Sequence, residues 1–307
     1  MLPVISPIER SLLASELTKK KFVRLTNNGN NHIYIISQHD SPNAMQEIGR
    51  LREIAFRMAG GGTGNGTDID ELDTAAVPYK QLIVWNPEDK EIVGGYRFLK
   101  CAEAGRDKNG VIQLATTELF HFSEKFINNY LPYTLELGRS FVQPQYQPSS
   151  ENRKGLFSLD NLWDGLGAIT VDNPDVKYLF GKVTMYTHYN AIARDMILFF
   201  MNYYFPDNEN LVRPHVPLAY KTDTGSFEAL FKGLNYKEGH RVLNQKVRGL
   251  GENIPPLVNS YMNLSSTMKT FGTSLNEHFG GVEETGIMVT IGDIYPSKKE
   301  RHIATYK

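Results

Sequence analysis

The amino-acid sequence predicts an α+β fold in which a central mixed sheet is flanked by helices and preceded by an N-terminal helical arm. Three observations carry this reading. Segments that read as strands are interspersed with helical apolar stripes. The main elements run strand, helix, three strands, helix, strand, helix. The chain of 307 residues, 41% apolar and 11% aromatic, can bury one large core.

Residues 1–30 read as the helical arm: Leu12, Leu13 and Leu17 lie at helical spacing, followed by the basic cluster Lys19, Lys20, Lys21 and Arg24 and an Asn-rich loop. Residues 32–37 form the first strand. Ser41 and Pro42 open a helix, serine as N-cap and proline in the first turn, with Met45, Ile48, Leu51, Ala55 and Met58 as its buried stripe. It ends in the glycine run of residues 60–66. Residues 81–85 and 91–99 make a hairpin about the turn 86–90. A polar loop and a helix over 123–130 lead to a strand over 133–142. A loop over 143–155, a helix over 156–169, a strand over 177–185 and a helix over 190–204, stopped by Pro206, follow. The remainder holds short helices over 227–234 and 240–250 and a last strand pair near 268–276 and 284–291. No repeat or linker divides the chain, so one domain over 31–293 is expected between the arm (1–30) and a polar tail (294–307).

Charge is nearly balanced, 33 basic against 34 acidic residues, so no global field attracts nucleic acid. The single cysteine, Cys101, excludes an internal disulfide and a cysteine-rich zinc site and fits a reducing compartment. The N-terminus has no basic segment followed by an apolar run. The longest strongly apolar run, residues 196–201, is far short of the roughly 20 residues that span a bilayer. A cytoplasmic protein is expected, touching a membrane at most from one side.

The strand Leu135-Glu136-Leu137-Gly138-Arg139-Ser140-Phe141-Val142 carries an acid and a base where burial disfavours charge. Three residues apart, Glu136 and Arg139 face opposite sides of a regular strand. Either a bulge near Gly138 turns them together or they do separate work; in the plainest alternative each pairs with another core charge. Upstream lie Arg52 and Phe56 on the first long helix, the acids Asp70 and Asp73, and Arg97 in Gly94-Gly95-Tyr96-Arg97-Phe98. The glycine run lacks the Lys-Ser/Thr ending of a phosphate loop and precedes Asp68, Asp70, Glu71 and Asp73, so it reads as a mobile lid or an ordinary surface loop. His188, His215, His240 and His278 are scattered, and a catalytic metal is not expected. Ser140 sits in no Gly-x-Ser-x-Gly turn and Cys101 has no assignable histidine, which disfavours an acyl-enzyme.

In their order, Arg52 with Phe56, Asp70 with Asp73, Arg97, and Glu136 with Arg139 resemble the motifs of the acyl-homoserine-lactone synthases and of their relatives that N-acylate amino acids to make ornithine and glycine lipids. The Leu135–Val142 segment, Leu162-Trp163-Asp164-Gly165-Leu166, Tyr178-Leu179-Phe180-Gly181-Lys182-Val183 and Ile254-Pro255-Pro256-Leu257 are similar to ornithine-lipid N-acyltransferases. The hemolysin-like proteins that make glycine lipids are the branch this chain resembles most, over most of residues 32–293. The segment between Arg97 and Glu136, about 38 residues, is longer than in the signal synthases.

The resemblance implies a GNAT-like acyltransferase fold and direct transfer of a (3-hydroxy) fatty acyl group from the phosphopantetheine thioester of acyl carrier protein to the amine of an amino acid, glycine first. No cofactor is implied beyond that thioester, and a cytoplasmic location is expected, with room for peripheral contact at the inner membrane. It assigns Glu136, Arg139 and Arg97 to catalysis, with Glu136 taking the ammonium proton directly or through water, and Arg52, Phe56, Asp70 and Asp73 to substrate binding. Lys19, Lys20, Lys21, Arg24, Arg153 and Lys154 become candidate contacts for the acidic carrier. Two alternatives stand: an acyl-CoA-dependent enzyme acting on a small amine, separable by its thioester donor, and a non-catalytic lipid- or partner-binding protein, separable by whether carrier is released at all.

Overall fold

A computed structural model describes residues 1–147 and 155–306. Helix α1 (Arg10–Glu16) and strand β1 (Phe22–Leu25) precede β2 (His32–Ile36), α2 (Pro42–Met58) and the single turn α3 (Glu71–Thr74). The hairpin β3 (Lys80–Asn86) and β4 (Glu91–Lys100) is followed by β5 (Phe120–Phe122), α4 (Glu124–Asn129), β6 (Thr134–Val142), α5 (Ser158–Asp172), β7 (Tyr178–Met185) and α6 (Ala191–Tyr204). Then come β8 (Val212–Pro214), α7 (Gly225–Phe231), α8 (Tyr236–Gly249), α9 (Pro256–Met262), β9 (Lys269–Asn276), β10 (Val282–Thr290) and α10 (Pro296–His302).

Eight strands form one mixed sheet in the order β1-β2-β3-β4-β6-β7-β10-β9. Its neighbours are antiparallel except β6 and β7, which run parallel. The period-2 rule divides each strand between two cores. In β3, Ile83 and Trp85 join Met45, Ile48 and Leu51 of α2 on one face, while Leu82 and Val84 join Leu162, Leu166 and Ile169 of α5 on the other. Covered on both sides, β3 reads as a continuous apolar run rather than an alternating one. A third cluster, around Phe120, Phe126, Phe180 and Phe271, lies under the long segment between β4 and β6 and buries Cys101. Among the described residues no helix is long and apolar enough to cross a membrane.

Several expectations need correction. The N-terminal arm is helical only over Arg10–Glu16; Phe22–Leu25 is the edge strand of the main sheet. Met58, the last residue of α2, is 69% exposed, and Ala44 and Phe56 fill the stripe instead. Residues 294–306, expected as a polar tail, pack on the domain. Helix α10 docks on α5 so closely that a Cβ at Gly167 would lie 2.1 Å from the His302 carbonyl oxygen. Buried Asp164 holds this junction, meeting His302 Nδ1 at 2.8 Å and accepting from the Asn27 backbone N–H (2.9 Å) and side-chain amide (2.7 Å).

The glycine run is not slack either. Buried Glu53 accepts from the backbone N–H of Thr63 (3.0 Å) and Gly64 (2.7 Å), from the Thr63 hydroxyl (2.8 Å) and from Arg57 Nε (2.7 Å). Burial alone would raise this carboxyl, but these donors, the Thr63 amide and Arg57 foremost, bring it below its ordinary value. The extended N-terminus then straps the loop from outside, Leu2 N donating to Gly64 O (2.7 Å) and Ile5 N to Gly66 O (3.1 Å).

Candidate active site

The site forms where β6 and β7 part. Their parallel ladder runs from Thr134–Tyr178 to Leu137–Gly181 and ends there. Past that point β6 continues along β4, with one residue too many: Arg97 faces Gly138 and Gly95 faces Phe141, so two steps on β4 oppose three on β6. This is a β-bulge, and Arg139 within it has φ +49°, a left-handed conformation that costs a non-glycine residue about 1–3 kcal/mol. The extra residue shifts the alternation. Glu136 and Arg139 therefore line the same cavity, the first of the two outcomes the spacing allowed.

The cavity, about 760 Å³ including its open mouth, passes through the gap in the sheet. Phe56 and Phe279 wall one side and Leu257 and Tyr261 of α9 the other. The Phe56 and Phe279 rings meet edge to face at 5.1 Å, and the Arg139 guanidinium lies over Phe279 at 4.1 Å.

Beside this wall, Arg52, Arg97 and Arg139 face Asp68, Asp70 and Asp73. Arg52 and Asp73 are fully buried and paired at 3.2 Å, with Gln81 bridging them: its amide donates to Asp73 (2.9 Å) and its oxygen accepts from Arg52. Arg97 Nη1 reaches Asp70 at 2.6 Å and Asp73 at 3.4 Å. Arg139 Nε lies 2.9 Å from Asp68. Asp70 also caps α3 in a reciprocal capping box with Asp73, which fixes both acids relative to the arginines. Burial opposes the charge on Asp70, but Arg97 and then Arg139 outweigh it and hold the carboxyl at about 2. Burial pulls Arg52 below its usual range despite Asp73 and Asp68, whereas Asp73 and Asp70 overcome the same burial at Arg97 and raise it. Six of the sequence-selected residues, Arg52, Phe56, Asp70, Asp73, Arg97 and Arg139, thus converge on one wall.

Glu136 is there too, but not as a free base. Its Oε1 accepts from the Thr116 amide (2.8 Å) and hydroxyl, and its Oε2 from the Ala115 amide (3.2 Å) and the Tyr79 hydroxyl. Two donors per oxygen fill both lone pairs of each. The carboxylate anchors the 115–116 turn against β6 and leaves no acceptor for an incoming ammonium. Burial, then the neighbouring Glu136 charge, pushes the Tyr79 phenol well above its ordinary value.

Across the gap from β6, on β7 and β10, stands a pair the sequence reading missed. Lys182 Nζ meets Glu284 Oε2 at 2.7 Å, and Asn276 donates to the same oxygen at 2.8 Å. Burial would raise this carboxyl; Lys182 foremost, with Asn276 and Arg139, brings it down. The signal existed, since Glu283 and Glu284 are two adjacent acids at the head of a strand that ends in Ile287, Met288 and Val289. Thr116, Tyr79, Gln81 and the Asp68–Arg139 pair were also missed, and only tertiary contact reveals them.

The basic residues selected for carrier docking divide. Lys21 is committed inward, donating to Glu16 O (2.9 Å), Asp40 O (2.6 Å) and Ser41 Oγ (2.7 Å), and buried Arg24 bonds Leu25 O and Asn27. Neither offers its charge to a partner. Lys19 and Lys20 are exposed; Arg153 and Lys154 lie outside the described residues.

A family of acetyltransferase (GNAT) domains matches residues 51–153, a span that holds the arginine–aspartate wall and both Glu136 and Arg139. With this sheet and this gap, the chain is an acyltransferase of the GNAT class. Two proteins named glycine N(alpha)-acyltransferase, from Phocaeicola vulgatus and Bacteroides thetaiotaomicron, are each 55% identical over 303 residues, covering 99% of this chain and 93% and 90% of their own. The chain belongs to their family. A CoA-dependent acyl-homoserine lactone synthase, BjaI, solved with SAM and isopentyl-CoA, overlays with a TM-score of 0.36 at 12% identity, covering 88% of this chain and 86% of that one.

Proposed function

We propose that this chain transfers a fatty acyl group from the thioester of acyl carrier protein to the α-amine of glycine, in the synthesis of an amino-acid lipid at the cytoplasmic face of a membrane. The observation that carries the reading is the Arg139 fork. The bulge turns it into the cavity, and among the described residues its two terminal nitrogens make no hydrogen bond: Nε is spent on Asp68, and Nη2 lies 3.8 Å from Asp70. An open guanidinium over an aromatic floor suits a small carboxylate, which it binds through two parallel N–H donors. The name shared by relatives at 55% identity points to glycine as the source of that carboxylate.

In this reading the acyl thioester lies in the gap between β6 and β7, where backbone N–H groups released from the ladder past Leu137 meet the developing oxyanion. The glycine ammonium loses one proton, its lone pair forms the C–N bond, and the C–S bond breaks. The thiolate takes up one proton and a second goes to solvent, so thioester plus glycine zwitterion gives N-acylglycine, free thiol and H⁺. Glu136 contributes by holding the 115–116 turn that walls this space, and the Arg52, Asp73, Arg97 and Asp70 chain holds Arg139 in its strained place. Lys19 and Lys20 remain the docking contacts for the carrier.

The purified protein given 3-hydroxyacyl carrier protein and glycine should form N-acylglycine, detected by mass spectrometry, with other amino acids and acyl-CoA as competing acceptors and donor. Preference for acyl-CoA would replace the donor assignment. No N-acylglycine from either thioester would overturn the reading.

A further inference from the structure

Two carboxylates line the cavity, Glu136 and Glu284, and they differ in what they have left to offer. Both oxygens of Glu136 are filled by protein donors. Glu284 spends only Oε2, on Lys182 and Asn276; among the described residues its Oε1 accepts nothing. The residue is 4% exposed, so what reaches Oε1 comes through the cavity. Glu284 sits on β10 opposite Thr184 of β7, and both residues line the gap at the level where β6 and β7 have separated. Arg139 lines the same cavity, and its charge is among those that keep the Glu284 carboxyl below its ordinary value. An open carboxylate oxygen and an open guanidinium therefore share one small space, an arrangement matched by the two charged ends of an amino-acid zwitterion.

We propose that Glu284 is the ammonium-binding residue of the acceptor subsite, its Oε1 receiving an N–H of the α-ammonium while the Arg139 fork receives the α-carboxylate. The inference rests on the acyl-transfer reading above and gives it an acceptor pose. Lys182 and Asn276 serve as positioning residues, fixing the carboxylate through Oε2 so that Oε1 points into the gap. The carboxylate is held ionised by Lys182, which suits binding a cation and orienting it for deprotonation by solvent.

Glu284→Gln tests this. A charge-assisted hydrogen bond is lost, so KM for glycine should rise roughly 10- to 100-fold while KM for the acyl thioester stays unchanged. Hydroxylamine, uncharged at neutral pH, needs no ammonium site; its enzymatic acylation, after subtraction of the uncatalysed reaction, should stay within about threefold of wild type. Because Glu284→Gln strands the Lys182 charge, the double variant Lys182→Met with Glu284→Gln removes the pair whole and should show the same split between acceptors. Glycine kcat/KM within about threefold of wild type in either folded variant overturns the proposal, as does an equal fall with both acceptors, which would make the pair purely structural. Both outcomes leave glycine acylation by the wild-type protein standing. Absence of that wild-type activity would remove the proposed function itself, and this inference with it.

Discussion

Asp73→Asn removes one unit of charge from a wall where three arginines face three aspartates. The side chain is fully buried, and it receives Arg52 at 3.2 Å, the Gln81 amide at 2.9 Å and Arg97 at 3.4 Å. Asparagine has the same shape but cannot serve all three: its NH2 must face either the Gln81 amide or the arginines, and three guanidiniums are left with two carboxylates. Removing one partner of a buried pair costs about 3–5 kcal/mol, because the remaining charge stays out of water uncompensated. With an unfolding entropy of about 2.1 cal/mol/K per residue over 307 residues, Tm should drop by roughly 5–8 °C. Calorimetry measures this directly. Arg52→Gln added to Asp73→Asn removes the orphaned cation and should recover roughly 1–2 kcal/mol of the loss, a coupling that separate mutations would not show. A Tm for Asp73→Asn within about 1 °C of wild type would refute the claim that the wall is held by charge compensation.

Asp70 adds a pH signature. Its folded-state value of about 2 lies below the ordinary 3.8, so its ionised form contributes about 2 kcal/mol that is fully present above about pH 4 and lost as pH falls towards 2. The stability gap between wild type and Asp70→Asn, from urea unfolding, should be widest near neutrality and close below about pH 4; a gap independent of pH would argue against the Arg97 pairing. Glu136→Gln leaves at least one of four buried donors unsatisfied, so amide exchange across residues 112–118 should quicken and kcat fall by roughly 100-fold, with unchanged exchange and near-normal turnover as the contrary result. Lys21→Glu should lower Tm by a few degrees, about what three lost bonds to Glu16, Asp40 and Ser41 imply. Lys19→Glu with Lys20→Glu should leave Tm alone and raise KM for acyl carrier protein; an unchanged KM would move docking elsewhere.

The central strands were legible because a sheet covered on both faces writes long apolar runs, and Glu136 and Arg139 stood out as charges within one. Their shared side was not legible. It depends on the pairing of Arg97 with Gly138 and Gly95 with Phe141, a property of two strands at once. Strand β1, at four residues, and the three-residue pair β5 and β8 are too short to show a period; partners define them. Helix α10 has no apolar stripe, and it docks through His302 against Asp164 and the bare backbone of Gly167. The glycine run misled because local flexibility was weighed without Glu53, an acid ten residues before Thr63 on the preceding helix.

The order of strands has a consequence for how the protein is made. One wall of the gap comes from residues 136–140 and the other from Lys182, Thr184 and Glu284, with β10 inserted beside β7 only near the end of the chain. During synthesis at about 5–20 residues per second, the segment carrying Arg139 emerges well before its counterpart, and the interval is roughly 7–30 s. For most of it β7, once made, has an unpaired edge, and Arg139 has no floor of Phe279 beneath it. A half-made chain on the ribosome therefore presents a sticky strand and only one wall of the cavity. Truncations before β10 should aggregate, because the edge of β7 is covered and the cavity closed by the same final stretch of translation.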